Sequence, residues 1–421
     1  MTLLAAVVVV VGAALGTALV LPAARRTGLG IWHPAAAWVA LEALFFGLGA
    51  LALAVIGGRP DPALYVGAAV AAFGVGVAAA DRLARRRGAM PAAGPVAADA
   101  DRLPDPIRPV AVVILAGLGV VALLPTLLAV GIPFLAGDVT GARSEVGGLD
   151  LQVLRVALPA AVLVAVLAAV RAGSGRIRLL AGLALAAAVV AEVALASRYL
   201  SAELVAAAIL ALGIGRRPIP LRTLALVGVA AAALFVSIGI LRAWDQAAGR
   251  EVDFAVQRTV NRVILIEPRT LDALQTAIPA EQPFFGGLTW LRRLAPLAGR
   301  DDVPNLGYWI YPRLFPDQVV PGYAAPGLLG EAWANLGWLG LALFAAFGVL
   351  VERLGALIAI RRRMIADVAA GALLCLFVAR THALGLNGLA VVAVLVVAWR
   401  WLAAPLAGLP GDVRRVLAWR A

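Results

Sequence analysis

The sequence predicts an all-α polytopic membrane protein with about 11 transmembrane helices and one large external loop containing short helices. Three observations lead there. Hydrophobic residues make up 63% of the 421-residue chain and charged residues only 14%, too few for a soluble domain. The apolar residues fall in runs of about 20, the length that crosses a bilayer as a helix. The charged residues gather in the short segments between those runs.

The runs lie at 2–21, 35–56, 62–80, 109–131, 151–170, 179–196, 200–214, 223–241, 326–350, 366–383 and 384–403. The first has no basic residue ahead of it and no cleavage site, so it is expected to stay as a span. All 36 basic residues are Arg, and their placement sets the orientation. Alternate segments carry Arg25 and Arg26; Arg82, Arg85, Arg86, Arg87, Arg102 and Arg108; Arg171, Arg176 and Arg178; Arg216, Arg217 and Arg222; Arg353 and Arg361 to Arg363; and Arg414, Arg415 and Arg420. The intervening short segments carry single residues, Arg59, Arg143 and Arg198. Basic loops stay cytoplasmic, so the N-terminus is expected outside and the C-terminus in the cytoplasm. The net charge of +12 has the same explanation and is no sign of nucleic-acid binding. Segment 81–108 reads as a cytoplasmic linker rich in Ala, Pro, Asp and Arg. The predicted organisation is eight spans in 1–241, an extracytoplasmic loop at 242–325, and three spans with a tail in 326–421.

The 242–325 loop holds nine Arg and nine acidic residues, so topology alone does not account for its Arg. Residues 252–266 pattern as an amphipathic helix, and Pro268 is placed to open a second at 268–278. Arg258 and Arg262 then share one face, one turn apart. Aromatic residues at 290, 308, 309, 311, 323, 333 and 338 suit a membrane interface, and their faces could also stack on sugars. The stretch from 285 to 340 is punctuated by Gly, Pro, Trp, Tyr and Arg where the rest of the chain is apolar, and a polar segment between spans is where chemistry would sit.

That stretch carries Tyr311-Pro312-Arg313, Leu314-Phe315-Pro316, Gly330-Glu331 and Asn335-Leu336-Gly337. It resembles the oligosaccharide repeat unit polymerases, or O-antigen polymerases, which show Pro-Arg, then Trp-Pro or Phe-Pro, then Gly-Glu and Asn-Phe-Gly leading into a span. Leu336 stands here where that family usually has Phe. Weaker likenesses lie at Gly131-Ile132-Pro133-Phe134 with Arg143-Ser144-Glu145, and at Ser197-Arg198-Tyr199. The resemblance implies a membrane glycosyltransferase fold and a donor glycan on undecaprenyl diphosphate at the outer face of the cytoplasmic membrane. The growing chain would move from its carrier onto the next carrier-linked unit. Besides that lipid-linked oligosaccharide and the bilayer, a repeat-unit flippase and a chain-length regulator are the partners implied.

In such a reaction a diphosphate leaves an anomeric carbon, and fixed positive charge nearby lowers the barrier. Arg matches phosphate oxygens with a planar fork and stays protonated. Arg143, Arg198, Arg258, Arg262 and Arg313 are therefore the substrate-binding candidates; each could instead serve a structural ion pair or touch lipid phosphate. The acceptor hydroxyl needs a base. Glu331 is the first candidate and His382 the second. Glu331 could alternatively hold Arg313 or cap a helix, and His382 could be a hydrogen-bonded interfacial residue. Glu192 and Glu203 are near enough to Arg198 in sequence to pair with it, whereas Glu42 has no evident partner.

One Cys, Cys375, and two His, His33 and His382, exclude a disulfide framework and a His-rich metal centre. Asp301-Asp302 reads as a solvated turn rather than a metal pair. The expected reaction is metal-independent and uses no cofactor. No phosphate-cradling Gly-rich loop faces the cytoplasm, which argues against ATP-driven transport by this chain. The competing readings are an O-antigen-ligase-like glycan transferase and a flippase or exporter of lipid-linked oligosaccharide.

Overall fold

The computed structural model describes residues 2–86, 175–195, 208–214, 265–290, 303–316, 323–361 and 365–385, with isolated positions between 117 and 261. Every regular element among them is helical. The helices are α1 (Thr2–Arg26), α2 (Pro34–Gly57), α3 (Asp61–Arg86), α4 (Gly175–Leu195), α5 (Ile266–Ala277), α6 (Leu306–Leu314), α7 (Gly327–Leu336), α8 (Gly340–Arg361) and α9 (Ile365–Leu384). α1, α2, α3 and the stretch Gly327–Ile360 are long and apolar enough to cross a membrane. The described residues fall into two compact units. One holds α1–α3, α5–α7, α8 as far as Ala359 and α9 from Phe377; the other holds α4 and the earlier part of α9. The features below belong to the first.

α1 and α3 cross through glycine. Gly12 lies against Gly67 and Gly16 against Val70, and Arg26 pairs with Asp81. Each partner on α3 comes 54 or 55 residues after its partner on α1, so the two helices run in the same direction. Between membrane helices there is little hydrophobic drive, because lipid is as apolar as Leu; small residues that let backbones touch supply the packing instead. α8 joins α3 in the same manner, with Gly348 under the backbone of Phe73 and Gly76 under that of Ala345. Leu3, Leu4, Val7, Val10, Val11 and Leu15 of α1 are left exposed, an apolar stripe suited to acyl chains.

α2 runs the opposite way, with His33 beside Glu352 and Gly47 facing Val9. Its Trp38 is fully buried among Phe73, Phe344 and Phe347, with ring centroids at 4.1, 6.1 and 5.7 Å. Trp38 Nε1 donates to Thr381 Oγ1 at 3.1 Å, which ties α9 to this core. A buried indole N–H needs such an acceptor.

Several boundaries differ from those expected. α3 continues to Arg86, where 81–108 was expected to be linker, because Asp81 pairs with Arg85 one turn on and basic residues suit the negative end of a helix. The span expected at 326–350 is two helices. α7 ends at Leu336, Gly337 takes φ 57° and ψ −133°, a conformation open essentially to Gly alone, and α8 runs on to Arg361. Arg353, expected in a loop, therefore lies on α8. α5 begins at Ile266, so Pro268 sits in its first turn, which tolerates a missing N–H. The runs at 109–131, 151–170, 223–241 and 384–403, and the helix expected at 252–266, lie largely or wholly outside the described residues; in the run at 200–214, residues 206 and 208–214 are described and helical.

Candidate functional site

The signature residues around α7 are gathered by one asparagine. Asn335 is buried (1% exposed) and its amide makes four contacts. Its Oδ1 accepts from the backbone N–H of Gly287 at 3.0 Å and, at 3.4 Å, of Thr289. Its Nδ2 donates to Thr289 Oγ1 at 2.6 Å and to the Glu331 carbonyl at 2.8 Å. The backbone N–H groups of Phe285 and Gly286 donate to the carbonyls of Ala334 and Asn335 at 3.1 and 2.9 Å. The 285–289 turn thus satisfies the carbonyls that the end of α7 leaves open. Phe284 presses on the bare Cα of Gly337, Leu274 of α5 on Gly330, and Trp333 Nε1 donates to the Ile278 carbonyl at 3.2 Å. Asn335 and Gly337 accordingly have a structural account: they clamp the 285–289 turn onto the break between α7 and α8.

Asn335→Ala is expected to lower the thermal stability of the detergent-purified protein by about 1–3 kcal/mol for each orphaned N–H. Asn335→Asp keeps the acceptor and loses only the donated bonds, so it should fall between. A wild-type melting temperature in Asn335→Ala would contradict the clamp.

Glu331 is on the same helix, partly buried. It lies one residue beyond the first turn of α7, whose N-cap is Pro326, so it does not cap the helix start. Its carboxylate packs directly over Gly385, which closes the end of α9 with φ 58° and donates its N–H to the Thr381 carbonyl at 3.0 Å. His382 is on α9 three residues before Gly385. The fold therefore brings Glu331 to the segment that bears His382; the His382 side chain lies outside the described residues.

Arg313, in the last turn of α6, is exposed. Its Nη2 donates to Glu281 Oε2 at 3.0 Å, its Nη1 to the Trp309 carbonyl at 3.0 Å, and its guanidinium stacks 3.9 Å over the Trp309 ring. The carboxylate that holds Arg313 is thus Glu281, not Glu331 as one sequence-based alternative had it. With 37% and 57% of the two side chains exposed, this pair contributes little stability, and the fork keeps faces open to a ligand. Arg143, Arg198, Arg258 and Arg262 lie outside the described residues, as does the Asp301-Asp302 turn.

The aromatic residues divide. Tyr308 (57% exposed), Tyr323 (47%) and Trp338 (52%) are exposed as an interface requires, whereas Trp333 is buried, edge-on to Tyr65 at 5.2 Å and Trp338 at 5.8 Å. Asp272 of α5 is half-buried near Arg59 and Asp61. Burial raises its pKa, Arg59 lowers it and Asp61 raises it again, for a net upward shift. A carboxyl whose folded pKa is raised binds its proton more tightly in the native state, so stability is lost as pH rises from the unfolded towards the folded pKa. Asp272→Asn is expected to raise the melting temperature slightly at neutral pH and to leave it unchanged in acid below the unfolded pKa; a lowered melting temperature at neutral pH would show that the Arg59 attraction dominates.

At the other end of the bundle lies a cluster that the sequence showed only as separate loop charges. Arg26 reaches Asp81 through Nε and Glu352 through Nη2 at 2.6 Å. Arg85 Nε donates to Asp81 Oδ2 at 2.8 Å. His33 Nε2 stands 3.2 Å from Glu352 Oε2, and His33 Nδ1 caps α2 by accepting the Ala35 N–H at 3.2 Å. Asp81, Glu352 and His33 are all buried. Their spacing of 55 to 326 residues in sequence hides the cluster, and only the shared level of Arg26 and Asp81 at the ends of parallel helices could have suggested it. Comparison with family models, with curated proteins and with solved structures finds no match.

Proposed function

We propose that this protein is a membrane glycosyltransferase that polymerises undecaprenyl-diphosphate-linked oligosaccharide repeat units at the outer face of the cytoplasmic membrane. The observation that carries the reading is Glu331. Glu331, the carboxylate of the Gly330-Glu331 motif, lies against the end of the helix that bears His382, and the 285–289 turn is clamped beside it by Asn335. In this reading Glu331 takes the proton of the acceptor hydroxyl, with His382 as the alternative base. Arg313 offers its fork to the leaving diphosphate, and Arg143, Arg198, Arg258 and Arg262 serve the same donor. The acceptor oxygen bonds to the anomeric carbon, the bond from that carbon to the diphosphate oxygen breaks, and the carrier leaves as the diphosphate. The site lies at the end of the bundle opposite Arg26, Arg85 and Arg353, which is the external end if the Arg-rich ends are cytoplasmic.

A strain lacking the gene is expected to keep single repeat units on carrier or acceptor and to lose long polymer, as read on glycan gels. Unchanged chain length in that strain would remove the reading. Single units confined to the cytoplasmic face would favour transport.

A further inference from the structure

We propose that Tyr308 and Tyr323 form a stacking subsite for the sugar ring joined directly to the carrier diphosphate. The inference rests on the reading of Arg313 as a contact of that diphosphate, and it adds where the sugar lies.

α6 turns Leu306, Gly307 and Ile310 inward. Tyr308, Trp309, Pro312 and Arg313 fall on its other side, within an arc of about 140°. Tyr308, Pro312 and Arg313 are exposed there. Tyr323 reaches this helix from the segment that leads into α7. The backbone N–H of its neighbour Ala324 donates to the Gly307 carbonyl at 3.1 Å, and the Tyr323 ring lies on the bare Cα of Gly307, where a Cβ would collide with it. Tyr323 then meets Tyr308 at 5.2 Å between ring centroids and 70° between ring planes. The two rings are nonetheless 47% and 57% exposed. Rings that packing and a backbone hydrogen bond hold in place, yet leave half open, are preorganised for a ligand that stacks on them. A membrane interface calls for amphipathic rings at headgroup depth, but not for a glycine cradle that fixes one of them.

The chemistry of the surrounding side chains suits a sugar. A pyranose presents apolar C–H groups on its faces and hydroxyls at its rim. Aromatic faces carry negative charge density and attract polarised C–H groups. The rim needs donors and acceptors, and both stand at the far end of the same side of α6: the Arg313 fork, and the Glu281 carboxylate bonded to it at 3.0 Å. Aromatic walls with a few placed polar groups are the usual make-up of a small-ligand site. Tyr308 comes five residues before Arg313, about 7.5 Å along the helix. A sugar bonded to a diphosphate held by Arg313 has its ring within that reach.

The full-length protein in lipid nanodiscs is titrated with two probes: single lipid-linked units extracted from cells lacking the gene, and undecaprenyl diphosphate without sugar. Wild type should bind the first more tightly. Tyr308→Ala and Tyr323→Ala should each weaken that binding about tenfold and leave binding of the bare carrier unchanged. Tyr308→Phe and Tyr323→Phe keep the rings and should bind like wild type. Tyr308→Ala removes an exposed ring and should fold even where Tyr323→Ala does not, and it then decides the matter alone. Equal affinity of wild type for the two probes overturns the subsite, and so do Tyr→Ala variants that hold the glycan-bearing lipid like wild type. Equal weakening towards both probes also overturns it and would make the rings membrane anchors. Tyr→Ala variants that polymerise and bind like wild type remove the subsite and leave the transferase reading standing. Sugar-dependent binding through the tyrosines without chain growth does the reverse. An extract that holds no such lipid removes both.

Discussion

Arg26→Ala is expected to cost about 3–5 kcal/mol of stability, the loss that follows when one member of a buried ion-pair network is removed and its partners stay charged. The residue joins three helices: it belongs to α1, and its guanidinium reaches Asp81 on α3 and Glu352 on α8. Asp81 retains Arg85 when Arg26 is gone. Glu352 does not; among the described residues it keeps only the nearby His33 Nε2. The loss should therefore run mainly through Glu352, and Glu352→Gln in the Arg26→Ala background should recover part of it. Thermal unfolding of the single and double variants in detergent, analysed as a cycle, measures this coupling. A small effect in Arg26→Ala, or additive effects in the cycle, would show that the cluster does not hold the helices together.

Glu331→Gln is expected to reduce glycan polymerisation roughly a hundred- to ten-thousandfold, the range that a positioned general base supplies. The amide keeps size and hydrogen bonding but cannot take a proton. The carboxylate packs over Gly385, so the variant should insert and melt like wild type, and normalising turnover to folded protein separates chemistry from stability. Near-normal turnover would remove Glu331 as base and shift attention to His382. A lowered melting temperature with proportionate loss of activity would make Glu331 a packing residue. Arg313→Lys is a companion test, because Lys retains the charge and loses the fork. Full activity there would remove Arg313 from the diphosphate.

The membrane character and the long helices were legible in the sequence because they depend on one local property, the length of apolar runs. α1, α2, α3 and α9 fall within a few residues of their expected bounds, apart from basic last turns that an apolar count cuts short. The break at Gly337 was harder to see. Windows of hydropathy run straight through residues 327–360, and only the positive φ at Gly337, with Phe284 seated on it, divides them. The candidate site was legible as a list of residues and not as an arrangement. Glu331 and Arg313 stood out by type, but that Arg313 would take Glu281, and Glu331 would meet Gly385, depends on contacts across tens of residues. The glycine crossings were invisible for a similar reason: with 44 Gly in the chain, sequence alone does not say which ones let two backbones meet.

The central claim is most directly tested with purified protein and purified lipid-linked repeat units, without metal or nucleotide added. The account predicts a ladder of glycans that lengthens one repeat unit at a time while the carrier diphosphate is released. Folded wild-type protein that binds those units and yields no product longer than one repeat would contradict it.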